Sequence, residues 1–361
     1  MKKIKPRPLV SSHVVRSTPR QAGGGRPREA LIARSRESIK RGSKSFALAS
    51  MLFDQATRDR AHLLYAWCRR CDDIADGQDH GGELKLDAST PQDRVEAIRI
   101  LTKRALDGQP TADLAFDALG QVAAEVRLTQ EMCEDVIDGF ALDAEGWRPR
   151  TEADMMRYCY HVAGAVGVMM AKVMGVPSDA GETLDRACDL GLAFQLNNIA
   201  RDIWEDDAAG RCYLPVEWLV EFDIPPGQHM KPQYRTQLVQ MAKRLVKIAE
   251  VHEAWARLGA QQLRFRQRWA VLAAANIYGA IGQQVLQQAE LAWDSRIHTT
   301  AFDKLGHVIS ALKEALTGSW EPGEKPRYTR GELMVMARMA GKPADIAITP
   351  LRDEGVRKKE D

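Results

Sequence analysis

QLNNIARDIWEDDAAGRCYLP, residues 195–215, decides how this chain folds. Asn198, Asp202 and Asp206 stand four apart within it, so on a helix they line one face at about 6 Å per step. Leu192, Phe194, Leu196, Ile199 and Ile203 surround them, which buries that helix. An earlier stretch, YAWCRRCDDIAD at 65–76, repeats the device with Asp72 and Asp76 beside Ile74 and Ala75. One such pair of acids is ordinarily a solvated face. Two rows on buried helices are a different matter, because like charges raise one another's pKa and cost stability unless a cation neutralises them. Facing rows of oxygen donors suit magnesium carried on a diphosphate, since that ion keeps several waters and takes one or two carboxylates plus phosphates. Arg69, Arg70, Arg201 and Arg211 are interleaved with the acids. Their forked guanidinium groups fit phosphate oxygens and fit the carboxylates equally well.

Outward from these two stretches the pattern stays helical. Leu31, Ile32, Ile39 and Phe46 recur at helical intervals before the first acidic row, and a break at 77–91 precedes a helix starting near Asp93. Thr129 opens a helix with Asp135, Asp138 and Asp143, whose irregular spacing reads as a solvated or capping face. Thr151 and Asp154 form an N-cap signature for the helix containing YCYHVAGAVGVMMAKVMG, which Ala163, Gly164, Ala165 and Gly167 make thin. That thinness serves close helix packing or a tunnel wall. Helices over about 179–206, 234–258, 266–292 and 299–316 follow, then a short one near 332–339. Hairpin signals and internal repeats are missing, so the expected fold is all-α, a single-domain bundle around a central apolar cavity.

Composition narrows the function. A net charge of +2 gives no nucleic-acid signature, and no apolar run reaches the 18 or so residues that span a bilayer. Residues 1–28 hold three Lys, five Arg, four Pro and no acid, which reads as a disordered basic tail. Residues 318–361 read as a partly disordered extension. The six cysteines lie in helical segments and read as reduced thiols in a cytoplasmic protein, Cys68-x-x-Cys71 included. Peripheral membrane contact through the tail or an apolar residue such as Trp269 is a further expectation. None of the eight histidines follows a Glu by three residues, which argues against a di-iron bundle. Nucleotide-binding glycine loops are missing too.

Four motifs in order then carry a family resemblance: Ser43-Lys44-Ser45-Phe46; the run from Tyr65 through Cys68, Arg69 and Asp72 to Asp76; Tyr158-Cys159-Tyr160-x-Val162-Ala163-Gly164-x-Val166-Gly167; and Gln195 to Asp206 with Tyr213-Leu214-Pro215. Over about residues 34–316 the chain resembles the squalene/phytoene synthase family. The resemblance implies an isoprenoid synthase bundle over 29–317 that condenses two prenyl diphosphates head to head. Two geranylgeranyl diphosphates would pass through a cyclopropyl diphosphate to phytoene, the committed step of carotenoid synthesis, without NADPH. It further implies that Asp72, Asp76, Asn198, Asp202 and Asp206 hold magnesium, or manganese in its place. Arg69, Arg201, Lys44 and Arg296 would contact phosphate, while Ser45, Phe46, Tyr65, Tyr160, Gln195 and Tyr278 would line the cavity. Some relatives carry a histidine where Gly42 stands here. The rival readings are a squalene or dehydrosqualene synthase using C15 donors and a non-catalytic assembly factor; the intact acid set weighs against the latter.

Overall fold

In the computed structural model, residues 20–79, 82–83, 90–297, 300–321 and 323–340 are described. The helices are α1 (Arg28–Gly42), α2 (Lys44–Ser50), α3 (Gln55–Ala75), α4 (Pro91–Leu106), α5 (Leu114–Val126), α6 (Gln130–Ala144) and α7 (Glu152–Cys159). After a π turn at Tyr160–Gly164 come α8 (Ala165–Val173), α9 (Gly181–Ala208), α10 (Val216–Glu221), α11 (Arg235–Ala260), α12 (Phe265–Gln288), α13 (Ala301–Thr317) and α14 (Arg330–Ala340). A ladder of two residues a side, Gln78–Asp79 with Gly82–Glu83, is the sole sheet among the described residues.

Local sequence sets the helix starts. Thr90 with Asp93, Thr151 with Asp154 and Thr300 with Asp303 form reciprocal capping boxes, so the orphan N–H groups of α4, α7 and α13 are satisfied before packing begins. The helix expected to run unbroken through 158–174 is interrupted by the π turn, whose wider winding re-aims the side chains there.

At the centre lies α9, packed against α8, α11 and α12, with the π turn alongside. On the other side α3 packs against α1, α4, α5 and α6 and reaches α8. Trp67 of α3 is fully buried and its indole N–H donates to Thr102 Oγ1 at 3.2 Å. Part of the stretch read as a basic tail is built into the body: Ala22–Gly25 form a 3-10 turn against α5, with Gly23 and Gly24 at φ 64° and 60°. A Cβ on Gly24 would lie 2.8 Å from Pro110 Cα, so only glycine fits. Arg26 then pairs with the fully buried Asp117 at 2.6 Å, a long-range contact that composition does not reveal. Residues 1–19 and 341–361 lie outside the described residues. The six cysteines are free thiols.

Candidate active site

Helices α2, α3, α8, α11 and α12 close one apolar cavity of about 330 Å³ around α9. From α2 come Ser45 and Phe46, from α3 Tyr65 and Cys68, from α12 Tyr278, and α9 itself supplies Gln195 and Asn198. The rings brace one another: Phe46 stacks on Tyr65 at 5.5 Å between centroids and Phe194 on Tyr278 at 4.1 Å. Burial pushes Tyr65 up to about 12, so its hydroxyl stays neutral. The opposite wall is a helix crossing with almost no side chain in it. Ala163 and Gly167 meet Ala187 and Gly191, and all four line the cavity. The thin helix therefore serves both uses that its sequence suggests.

A polar mouth of similar volume, about 330 Å³, shares Ser43, Ser45, Asn198 and Tyr278 with the apolar cavity and adds Arg201, Arg296 and Lys304. Asp202 of the second acidic row borders it through Arg201 and Arg296. Asp202 takes the guanidinium fork of Arg201, and Arg296 lies 3.6 Å away. Arg211, just beyond α9, reaches across to Asp76 at 2.5 Å and so ties the end of α3 to the second row. Asp143 of α6 accepts the hydroxyls of Tyr213 at 2.8 Å and Tyr158 at 3.0 Å. Burial raises its pKa, and the charges of Arg211 and Asp76 act on it as well.

Burial, then Asp202, push the Asp206 carboxyl up to about 7, against the pull of Arg211. Burial, then Asp76, push Asp72 up to about 6, with Arg69 opposing. The Asp72 side chain is 48% exposed, so water relieves part of its repulsion and Asp206 carries more of the effect. A carboxyl whose folded pKa lies above its unfolded value stabilises the fold while protonated, and that contribution disappears as pH rises through the folded value. The metal-free protein is therefore expected to melt at progressively lower temperature as pH rises through about 6 and then about 7. Asp206→Asn should flatten the upper part of that slope in calorimetry with a chelator present; an unaltered slope would refute the repulsion.

The donor set fits a hard cation that arrives with its own oxygens. Asn198 Oδ1 is buried on the cavity wall without a hydrogen-bond partner among the described residues, and the acidic rows present oxygen alone. Among the described residues no three acidic, histidine or cysteine side chains form a ready-made cage.

Some sequence-derived candidates lie elsewhere. Tyr160 is buried away from the cavity, and its hydroxyl donates to Asp135 at 2.6 Å; the π turn points it there. Arg69 holds Asp72 at 3.1 Å and Asp73 at 2.7 Å, and borders a separate polar pocket with Arg34 and Arg70. The side chain of Lys44 lies outside the described residues. A Cβ at Gly42 would fall 2.2 Å from the Tyr65 hydroxyl, so the phenol fills the space a side chain there would need. Ser43, Lys304 and Asp143 join the site without being anticipated. Ser43 is the N-cap of α2 and stands inside a motif already singled out. Lys304 lies about a hundred residues from the acids and gives no local signal.

A helical bundle that joins an apolar cavity to a cation-lined mouth, with an acidic row beside it on the central helix, defines a class, and the sequence agrees: a family model described as squalene/phytoene synthase matches residues 39–303. The chain belongs to that family. Among curated relatives, the phytoene synthase of Pseudescherichia vulneris is 44% identical over 78% of this chain and 91% of its own length. The 15-cis-phytoene synthase of Pantoea ananas is 43% identical over 80% and 93%. A ligand-bound dehydrosqualene synthase structure superposes with a TM-score of 0.70 at 28% identity, covering 80% of this chain and 97% of that one. Squalene synthase HpnC from Alicyclobacillus acidocaldarius shares the fold, with a TM-score of 0.64 at 21% identity over 74% of this chain and 98% of its own.

Proposed function

We propose that this chain is a prenyltransferase that condenses two geranylgeranyl diphosphates head to head, through a cyclopropyl diphosphate, to phytoene. The observation that carries the reading is the direct junction of a cation-rich mouth with an apolar cavity through Ser43, Ser45, Asn198 and Tyr278. A diphosphate head and a hydrocarbon tail need those two compartments side by side. The 43–44% identity to curated phytoene synthases favours C20 donors over C15.

Magnesium, or manganese in its place, held by Asp72, Asp76, Asn198, Asp202 and Asp206, would supply charge neutralisation to the departing diphosphate. Arg201, Arg296 and Lys304 at the mouth donate to phosphate oxygens. Arg69 positions Asp72 through its ion pair. Phe46, Tyr65 and Tyr278 wall off water, so the allyl cation meets the double bond of the second chain first. In the last step the departing diphosphate takes a proton from the rearranged cation, which gives the central double bond without a nicotinamide.

The test is incubation of the protein with geranylgeranyl or farnesyl diphosphate and magnesium, without nicotinamide, followed by chromatography of the products. Phytoene from the C20 donor is expected. A C30 product from the C15 donor alone would favour the dehydrosqualene alternative, which the likeness to a solved dehydrosqualene synthase keeps in view. Failure to turn over either donor would sink both.

A further inference from the structure

The helix α13 has two apolar faces. One is made of small residues, Val308, Ala311 and Ala315, buried in a cluster with Leu272 and Ala273 of α12. The other carries Phe302, Leu305, Ile309 and Leu316, which are 87, 52, 60 and 67% exposed. At 3.6 residues per turn those four fall within about 60° of one another. Single exposed apolar residues need no explanation; four on one helix face do.

The surface extends beyond α13. Arg266 donates to the carbonyls of Leu52 and Phe53, which brings the loop holding exposed Met51 beside exposed Phe265. Phe265 leans on Trp269 at 6.4 Å between centroids, and the Trp269 indole donates to Val308 O of α13 at 2.9 Å. Trp269 thus acts as a strut under the surface, and the exposed apolar residues lie around it. Below, Ala260 and Val271 pack in the cluster under α13 and also line the apolar cavity. The same side chains therefore border both the cavity and the layer beneath this face.

Charge selects the occupant. Asp303 caps its own helix, Glu314 holds Arg257 and Asn276, and Asp54 caps α3. Exposed Arg264, Arg266 and Lys313 around the apolar residues outnumber the two exposed acids, Asp54 and Asp303, which keep their charge within their caps. An apolar helix face with a cationic rim fits an anionic lipid surface. A second copy fits poorly, since a stable dimer buries roughly 20–30 residues a side. We propose that this face docks on an anionic bilayer, with Phe302, Leu305, Ile309 and Leu316 inserted among the acyl chains. The protein's apolar cavity end then lies toward the membrane. The motive for docking rests on the proposed function, because prenyl substrates and a C40 product partition into lipid; the docking itself does not.

The test is sedimentation of the full chain with vesicles of equal parts phosphatidylcholine and phosphatidylglycerol, alongside phosphatidylcholine alone. Binding to the anionic vesicles is expected, and Leu305→Glu with Ile309→Glu should weaken it by at least about tenfold. Circular dichroism and turnover in detergent should match wild type; if the pair misfolds, Leu305→Gln with Ile309→Gln replaces it. Unchanged binding by the folded variant would overturn the proposal. So would a wild-type dimer in light scattering that the variant dissolves. Sedimentation needs no turnover, so failure of the proposed reaction and failure of docking are read separately.

Discussion

Asp202→Ala is expected to slow turnover by about three orders of magnitude while leaving the helical circular dichroism intact. The carboxylate is the middle member of the row Asn198, Asp202, Asp206, and Arg201 and Arg296 both converge on it. Its removal takes one oxygen donor from the set proposed for the metal and releases two cations from their partner. The same change removes the like charge that helps push Asp206 up to about 7, which offsets part of the cost of leaving the largely buried Arg201 without its partner. Asp72→Ala should behave similarly on the first row. Single-turnover product formation with labelled substrate is the measurement, and either variant working at the wild-type rate would refute the assigned roles.

The second large effect is on the fold. Gly191→Ala on an exposed helix would stabilise by about 1 kcal/mol. Here the sign reverses, since a Cβ at Gly191 would lie 2.2 Å from Ala163 O and 2.9 Å from Gly164 Cα. Those atoms are backbone, so no rotamer change relieves the clash and α9 must move off the π turn. Overpacking costs about 1–3 kcal/mol and occasionally more, and a backbone obstacle belongs at the upper end. The urea midpoint of Gly191→Ala should drop clearly. Gly181→Ala on the same helix, where nothing lies within 4 Å of the added carbon, should leave it unchanged or higher. Equal midpoints for the two would show that the crossing is looser than its geometry.

The sequence made the acidic rows legible because their four-residue spacing is a property of one helix, and the apolar residues beside them already said that the helix is buried. Capping boxes were legible for the same reason: Thr151 and Asp154 signal each other within a single turn. What escaped was everything that depends on a partner far along the chain. Asp143 reads as one of three irregular acids, and only the fold stacks Tyr158 on Tyr213 at 4.6 Å and aims both hydroxyls at it. Tyr160 sits in a motif that looks like a cavity wall, yet one extra residue in the winding turns it toward Asp135. The segment 22–26 is basic and glycine-rich, and its docking on the body depends on the contacts that Pro110 and Asp117 offer it.

One consequence follows from the continuity of α9. Gly191, at the helix crossing, and Asp202, at the mouth, belong to the same unbroken rod, eleven residues and therefore about 16 Å apart along its axis. A rod of that kind would work as a ruler for the substrate proposed above: with the diphosphate at the mouth, it would fix how far the reacting end of an allylic chain lies from the bare backbone of the crossing. Altering the length of substrate accepted would then call for change in the facing helices, since the scale itself cannot stretch.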